Sequence, residues 1–385
     1  MDPALKPIAA KVERGERLGF EDGVTLLKTR DIWTVGALAH GVRTKLHGDK
    51  VYYNVNRHIN YSNVCALSCK FCEFHRKRGQ DGAYEDSVDD VVEKAQSAVE
   101  GGATELHIVG GLNPFLPFDY YTSMLQAVKA ACPTVHLKCF TAVEIVHLTK
   151  ISKRARELGT DESIRSVLED LKAAGLGSLP GGGAEVFDDR VHDEAFKGKI
   201  RGTQRLRVHE IAHEIGLMSN ATMLYGHVES IEDRVRHFML LREAQDKAIE
   251  QDLPGRFQTI IPLPFLPDGS ELQHLPGPGG LENLRMIAAA RLMLDNFPHV
   301  KTFWIMQTLP MAQVMLEYGA DDIDGTVQWY DITKIEGAGN DQAVTPRKLC
   351  DTILEAGYEP VERDTLYRRV EREGAAWKLA EAVAV

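Results

Sequence analysis

Apolar residues return every three to four positions over most of this chain, the mark of amphipathic helices, and short runs rich in β-branched and aromatic residues interrupt them. Leu5, Ile8, Ala9 and Val12 share one helical face, and residues 20–27 and 32–42 repeat the pattern, so residues 1–50 read as an N-terminal helical extension. Over 51–64 the pattern loosens into an alternation with many Tyr and Val, which predicts a strand ending at Cys65. From there strands and helices take turns. Strands are expected at 105–109, 135–140, 176–179, 219–224, 257–263, 300–305 and 320–327. Helices are expected at 88–100, 118–131, 142–158, 163–174, 203–215, 231–249, 280–294 and 311–318, several closing on glycine.

Counted with 51–64, these make eight strands, each followed by a helix or room for one. The spacing fits an α/β fold of the (β/α)8 TIM-barrel type over 51–330, with a doubly wound sheet as the competing arrangement. Residues 331–385 read as a C-terminal helical extension, with one helix over 346–355 and a charged, Ala-rich helix at the tail. In a barrel the chemistry sits in the loops after the strands.

Composition narrows the classes. With 385 residues, 44% hydrophobic and 26% charged, the chain can bury a full core. Its 45 basic against 56 acidic residues leave a net charge of −11, which runs against nonspecific nucleic-acid binding. The first residues, MDPALKPIAAKVERGE, carry charges where a signal peptide needs an apolar run, and no stretch approaches the roughly 20 apolar residues of a membrane helix. A cytoplasmic protein with reduced thiols, acting on neither membrane nor nucleic acid, is expected.

Three of the six cysteines then change the picture. CALSCKFC sets Cys65, Cys69 and Cys72 at C-x3-C-x2-C in the loop after the first barrel strand, whereas Cys132, Cys139 and Cys350 read as packing residues. Three thiolates can hold three irons of a [4Fe–4S] cube and leave the fourth open to a ligand, where four-cysteine clusters mainly carry electrons. Soft thiolates also suit zinc, with His75 as the fourth ligand of C-x3-C-x2-C-x2-H. On the zinc reading the chain is a metal-stabilised scaffold without catalysis.

Other motifs gather at the same ends of the strands. Gly110 and Gly111 follow the second strand, and paired glycines let a ligand approach the backbone, although most such pairs are turns. SLPGGGAE at 178–185 brings Gly182 and Glu185, a carboxylate able to accept from ribose hydroxyls, or a plain hinge. Thr141 and Glu144 after the third strand are further ribose candidates. Tyr225 and His227 stand at the exit of a strand that carries Ser219, Asn220 and Thr222. Asn60 and Asn63 fix the cysteine loop through side-chain-to-backbone bonds, and Arg57 or His58 reaches the cavity. In HRKRG, a basic run beside the cysteines, Arg76 is the candidate clamp for a substrate carboxylate and His75 a candidate proton carrier.

The cysteine spacing, with aromatic Phe71 before the third thiol, resembles the radical S-adenosylmethionine (SAM) superfamily. The resemblance implies that SAM chelates the open iron and is cleaved by one electron, with Phe71 near the adenine and the Gly110–Gly111 position receiving the methionyl amino group. NVNRHINYSNVC, ELHIVGG, LKCFTAVEI, SLPGGGAEVFDDRVHDEAF, SNATMLYGHVE, DRVRHFMLLREAQD, IDGTV and PVERDTLYR extend the likeness over roughly residues 5–372 to the aminofutalosine synthases of the futalosine route to menaquinone. That implies a full (β/α)8 barrel and joining of the 5′-deoxyadenosyl group of SAM to 3-[(1-carboxyvinyl)oxy]benzoate, with rearrangement and loss of a carboxylate, to give 6-amino-6-deoxyfutalosine. It implies SAM as a co-substrate, a dicarboxylate substrate beside Arg76, and an electron donor such as a flavodoxin or ferredoxin. Carried over by position, Cys65, Cys69 and Cys72 hold the cluster, and Gly110, Gly111, Gly182 and Glu185 surround SAM. The chain departs from the pattern at Asn113 in GGLNP, where relatives tend to carry histidine, at Glu73, Phe74 and His75, and over 247–258. The cyclase of dehypoxanthine futalosine, which shares the cluster motif and the triple glycine, is the alternative within the pathway.

Overall fold

The computed structural model describes residues 1–155, 159–183, 185–328, 332 and 343–381. Its strands, in chain order, are β1 (Lys50–Asn54), β2 (Asn56–Ile59), β3 (Glu105–Ile108), β4 (His136–Cys139), β5 (Ser178–Leu179), β6 (Met218–Tyr225), β7 (Phe257–Pro264), β8 (His299–Val300), β9 (Asp322–Gly325), β10 (Glu359–Glu362), β11 (Val370–Glu373) and β12 (Ala376–Leu379). Strands β2 to β8 pair in sequential order as one curled parallel sheet, and helices lie between them along the chain. One core cluster lies where those helices press on β2 to β5, and the other also takes in the N-terminal helices, β1 and the helix Pro346–Glu355.

The expected closed eight-stranded barrel is corrected: the sheet is an open seven-stranded half-barrel. The predicted first strand divides at Val55. Strand β1 pairs with β9 and β10 in a separate three-stranded sheet, while β2 pairs with β3. Side chains intercept the ladder at this point. The Thr326 hydroxyl donates to the Asn56 carbonyl at 2.7 Å, and the Asn56 side-chain oxygen accepts from the Val327 amide at 2.7 Å. The Val55 carbonyl turns instead to the Thr104 amide, 2.8 Å away. On the other side the backbone ladder between the end of β8 and β9 is reduced to the isolated bridge Lys301–Asp322.

Two further expectations fail. Residues 300–305 do not continue as a strand: β8 stops at Val300, and Trp304–Gln307 is a short helix whose Trp304 indole donates to the Gly325 carbonyl. The C-terminal part is not purely helical. After the helix Pro346–Glu355 come β10 and the β11–β12 hairpin, which turns at Gly374 (φ +62°), a left-handed position glycine takes without strain. The predicted helix 142–158 is observed as Ala142–Ile151, and its last three residues lie outside the described residues.

At the base, by the N-terminal ends of the strands, charged residues are buried in pairs. Asp321 takes bonds from Arg291, from the Val300 amide (2.8 Å) and from His299 (2.6 Å). The Asp322 carboxylate accepts from Arg363 at 2.9 and 2.7 Å. No helix among the described residues is long and apolar enough to cross a membrane.

Candidate active site

The cysteine loop leaves the sheet just beyond β2 and is tied at its neck. Val64 and Arg76 form a parallel bridge, and the Cys65 amide donates to the Arg76 carbonyl at 3.0 Å. The Lys77 ammonium caps the carbonyls of Cys65, Ala66 and Leu67 at 3.0, 3.2 and 2.9 Å. The Lys70 amide reaches the Ala195 carbonyl, and the Leu112 amide points at the Cys65 sulfur, 3.4 Å away. Cys65, Cys69 and Cys72 all line one cavity of about 310 Å³ at the mouth of the half-barrel. Burial pushes the Cys69 thiol up to about 12. The three sulfurs do not all stand within 4.8 Å of one another; among the described residues only His47, His299 and Asp321 make such a group of three donors.

Phe71, His75, Gly110, Gly111, Thr141, Glu144, Gly182 and Glu185 share that cavity. The glycines have a packing reason as well as a ligand-facing one. A Cβ on Gly111 would run into the Val64 carbonyl, and one on Gly110 into the Tyr61 ring, so β3 can approach the cysteine segment only without side chains there. Thr141 and Glu144 form a capping box on the helix Ala142–Ile151. The buried Glu144 carboxylate accepts from the Thr141 hydroxyl (2.8 Å), Tyr61 (2.8 Å) and the Gly110 amide (3.0 Å), and burial raises its pKa. That acid joins three pieces of the wall.

Glu185 is finished differently. It is 6% exposed and held at φ +45°, in the left-handed region. One carboxylate oxygen accepts from Lys199 at 2.5 Å, and the other is buried with no partner. Lys199 stands over the Phe71 ring, 4.9 Å from its centroid; burial pulls its pKa down, but Glu185 and the nearby thiols raise it above the ordinary value. The sequence reading missed Lys199. Its only trace was a lysine between two small elements in FKGKI.

Below the mouth lies a polar floor. Register places His58, His107 and Lys138 side by side on β2, β3 and β4. Lys301, Asp324, Asn220 and Thr222 complete it, and Ile261, Leu263, Phe303 and Met306 form apolar wall. Of these, only His58, Asn220 and Thr222 drew notice in the sequence. Lys138 and Lys301 passed as parts of buried strands, although a lysine inside an apolar strand is itself a signal.

Four candidates stand outside the cavity lining. One nitrogen of the Arg76 guanidinium donates to the Glu73 and His75 carbonyls, at 2.5 and 2.9 Å, which braces the loop. Asn113 is buried behind the glycines, donating to Ser62 and accepting from the Phe115 amide. Tyr225 donates to Asn283 and accepts from Gln307, and His227 is folded back onto the Leu224 carbonyl and Glu229.

Comparison with known proteins fits this geometry. Residues 59–241 match the radical SAM superfamily model, and residues 255–374 match that of the CofH/MqnC C-terminal region. The chain is 42% identical over 99% of its length, and 99% of the relative's, to the aminodeoxyfutalosine synthase of Thermus thermophilus. It is 43% identical to that of Streptomyces coelicolor, covering 95% and 94%. An archaeal 5-amino-6-(D-ribitylamino)uracil–L-tyrosine 4-hydroxyphenyl transferase, from Archaeoglobus fulgidus, is 36% identical over 86% of this chain and 92% of its own. Among solved structures, a methylornithine synthase superposes with a TM-score of 0.71 at 16% identity, covering 92% of this chain and 97% of that one, which speaks for the fold alone.

Proposed function

Since the chain belongs to the radical SAM superfamily and, within it, to the aminodeoxyfutalosine synthase family, we propose that it joins the 5′-deoxyadenosyl group of SAM to 3-[(1-carboxyvinyl)oxy]benzoate, with rearrangement and loss of a carboxylate, to give 6-amino-6-deoxyfutalosine. The near full-length identity to two such synthases carries this reading.

The residues present fit the expected [4Fe–4S] cluster. A single zinc with Zn–S bonds of about 2.3 Å needs its thiolates roughly 3.8 Å apart, whereas a cube spreads them over separate corners, in keeping with three sulfurs that do not converge within 4.8 Å. Cys65, Cys69 and Cys72 would hold it, and when bound it supplies the electron that opens SAM. Lys199 sets a positive charge beside Cys69 and Cys72, which offsets the charge of thiolates in a buried place. The partnerless oxygen of Glu185 suits ribose hydroxyls, and the glycine edge at Gly110, Gly111 and Gly182 leaves room for the nucleoside. The apolar walls exclude water, which keeps a reactive radical from being quenched. The electron comes from a small carrier of the flavodoxin or ferredoxin kind.

The test is turnover by anaerobically reconstituted protein with SAM, reductant and the enolpyruvyl benzoate. A product that retains the adenosyl group is expected. Inertness toward this substrate, with cyclisation of dehypoxanthine futalosine in its place, would overturn the assignment in favour of the cyclase.

A further inference from the structure

The floor of the cavity has the makings of a seat for an aromatic carboxylate. Lys138 and Lys301 are 4% and 2% exposed, line the cavity, and each donates to one carboxylate: Glu105 at 2.5 Å and Asp324 at 3.0 Å. An ammonium carries three donors, so both retain hydrogen-bonding capacity in a place shut off from bulk water. Burial holds Lys138 below its usual pKa; Glu105 pulls it back up and Lys301 pushes it down, so the two cations feel each other. An anion between them relieves both burdens. The ion pairs are neutral two by two, so the pull on a carboxylate comes from unspent N–H groups and not from excess charge.

The side walls suit a flat ring. His58 and His107 lie with centroids 4.3 Å apart, and Phe303 stacks near His58 at 6.0 Å and 28°. Asp324 is held at φ +67°, a strained position for a non-glycine residue, and its carboxylate accepts from Lys301. The thiols, on the loop that follows β2, line the same cavity.

We propose, resting on the function given above, that Lys138 and Lys301 hold the ring carboxylate of the substrate at the floor, with the ring beside His58 and Phe303. Its enolpyruvyl double bond then faces the rim where SAM binds. These two lysines thereby select a benzoate over a plain phenyl ether.

The experiment measures equilibrium binding to reconstituted enzyme with SAM and no reductant, so that no turnover occurs. The probes are 3-[(1-carboxyvinyl)oxy]benzoate and 2-phenoxyacrylate, which lacks only the ring carboxylate. Wild-type protein is expected to prefer the benzoate by about tenfold or more, the worth of a charged hydrogen bond. The double variant Glu105→Gln/Lys138→Met removes the pair together, so no lone charge is left buried. It should cut the preference severalfold, with Lys301 alone left to hold the carboxylate, while 2-phenoxyacrylate binds as before, and Lys138→Arg should keep most of the preference. An unchanged preference in the double variant, or equal weakening of both probes, overturns the assignment. Failure of the proposed function is read separately: wild-type protein then consumes no enolpyruvyl benzoate with SAM and reductant, and the floor assignment falls with it.

Discussion

Two charged layers cross this half-barrel a few residues apart, and they are completed to different degrees. At the base, Asp321 is met by Arg291, His299 and a backbone amide, and Asp322 by two nitrogens of Arg363. At the floor and mouth, Lys138, Lys301 and Glu185 each have one charged partner and capacity to spare, down to a bare oxygen on Glu185. Burial is similar in both layers, so burial does not tell a structural charge from a working one. Saturation does. A charge with every valence met can only hold the fold, and one left short is available to a ligand.

The largest effect belongs to the mouth. Cys69→Ala should abolish cluster uptake and turnover while the far-ultraviolet circular dichroism stays that of the folded half-barrel, since the change takes a single sulfur from a large core cluster; global unfolding would place Cys69 with the structural layer. At the base, Asp321→Ala leaves Arg291 buried without its counter-charge and should cost about 3–5 kcal/mol of stability, seen as a large drop in Tm. A variant as stable as the parent breaks the comparison. Glu185→Gln keeps an acceptor for Lys199 but weakens the bare oxygen; SAM affinity, read by equilibrium dialysis, should fall about tenfold with a smaller change in Tm than Asp321→Ala gives. Arg76→Lys should alter the substrate KM less than about threefold, because the guanidinium serves loop carbonyls. A larger KM change restores it as a substrate clamp.

Acid sharpens the contrast from another side. Burial depresses His47 at the base and His58 at the floor to about 4, below the ordinary value near 6.5. The unfolded chain therefore takes up protons first. The stability these groups allow is complete above about pH 6.5 and is lost as the pH falls toward 4. Tm measured from pH 7.5 down to pH 5 should decline, and replacing either histidine with asparagine should flatten the decline; a flat profile in the parent refutes neutral burial.

Much of the fold was legible because helix signals are local. The predicted helices at 88–100 and 118–131 match the observed Val88–Glu100 and Phe118–Ala131. What failed depends on distant partners. Nothing local reports that Thr326 would intercept the ladder at Asn56 and divide the first strand. The aromatic run after Val300 suits strand and helix alike, and the charged, Ala-rich tail looked helical although part of it pairs as the β11–β12 hairpin. The cysteine loop and its glycines were visible as motifs. Tyr225, His227 and Asn113 drew attention for their chemistry, but which way a strand end turns is set by the neighbours it packs against. Lys138 and Lys301 were hidden by the opposite error, the habit of reading buried strands as apolar.

Lys77 carries a consequence for what holds the cysteine loop in shape. Its ammonium gathers three loop carbonyls, and the Val64–Arg76 bridge closes the neck, so the shape of the cysteine loop is drawn by the chain's own groups. A loop drawn this way owes its shape to Lys77 and the bridge, and not to whatever its thiols hold.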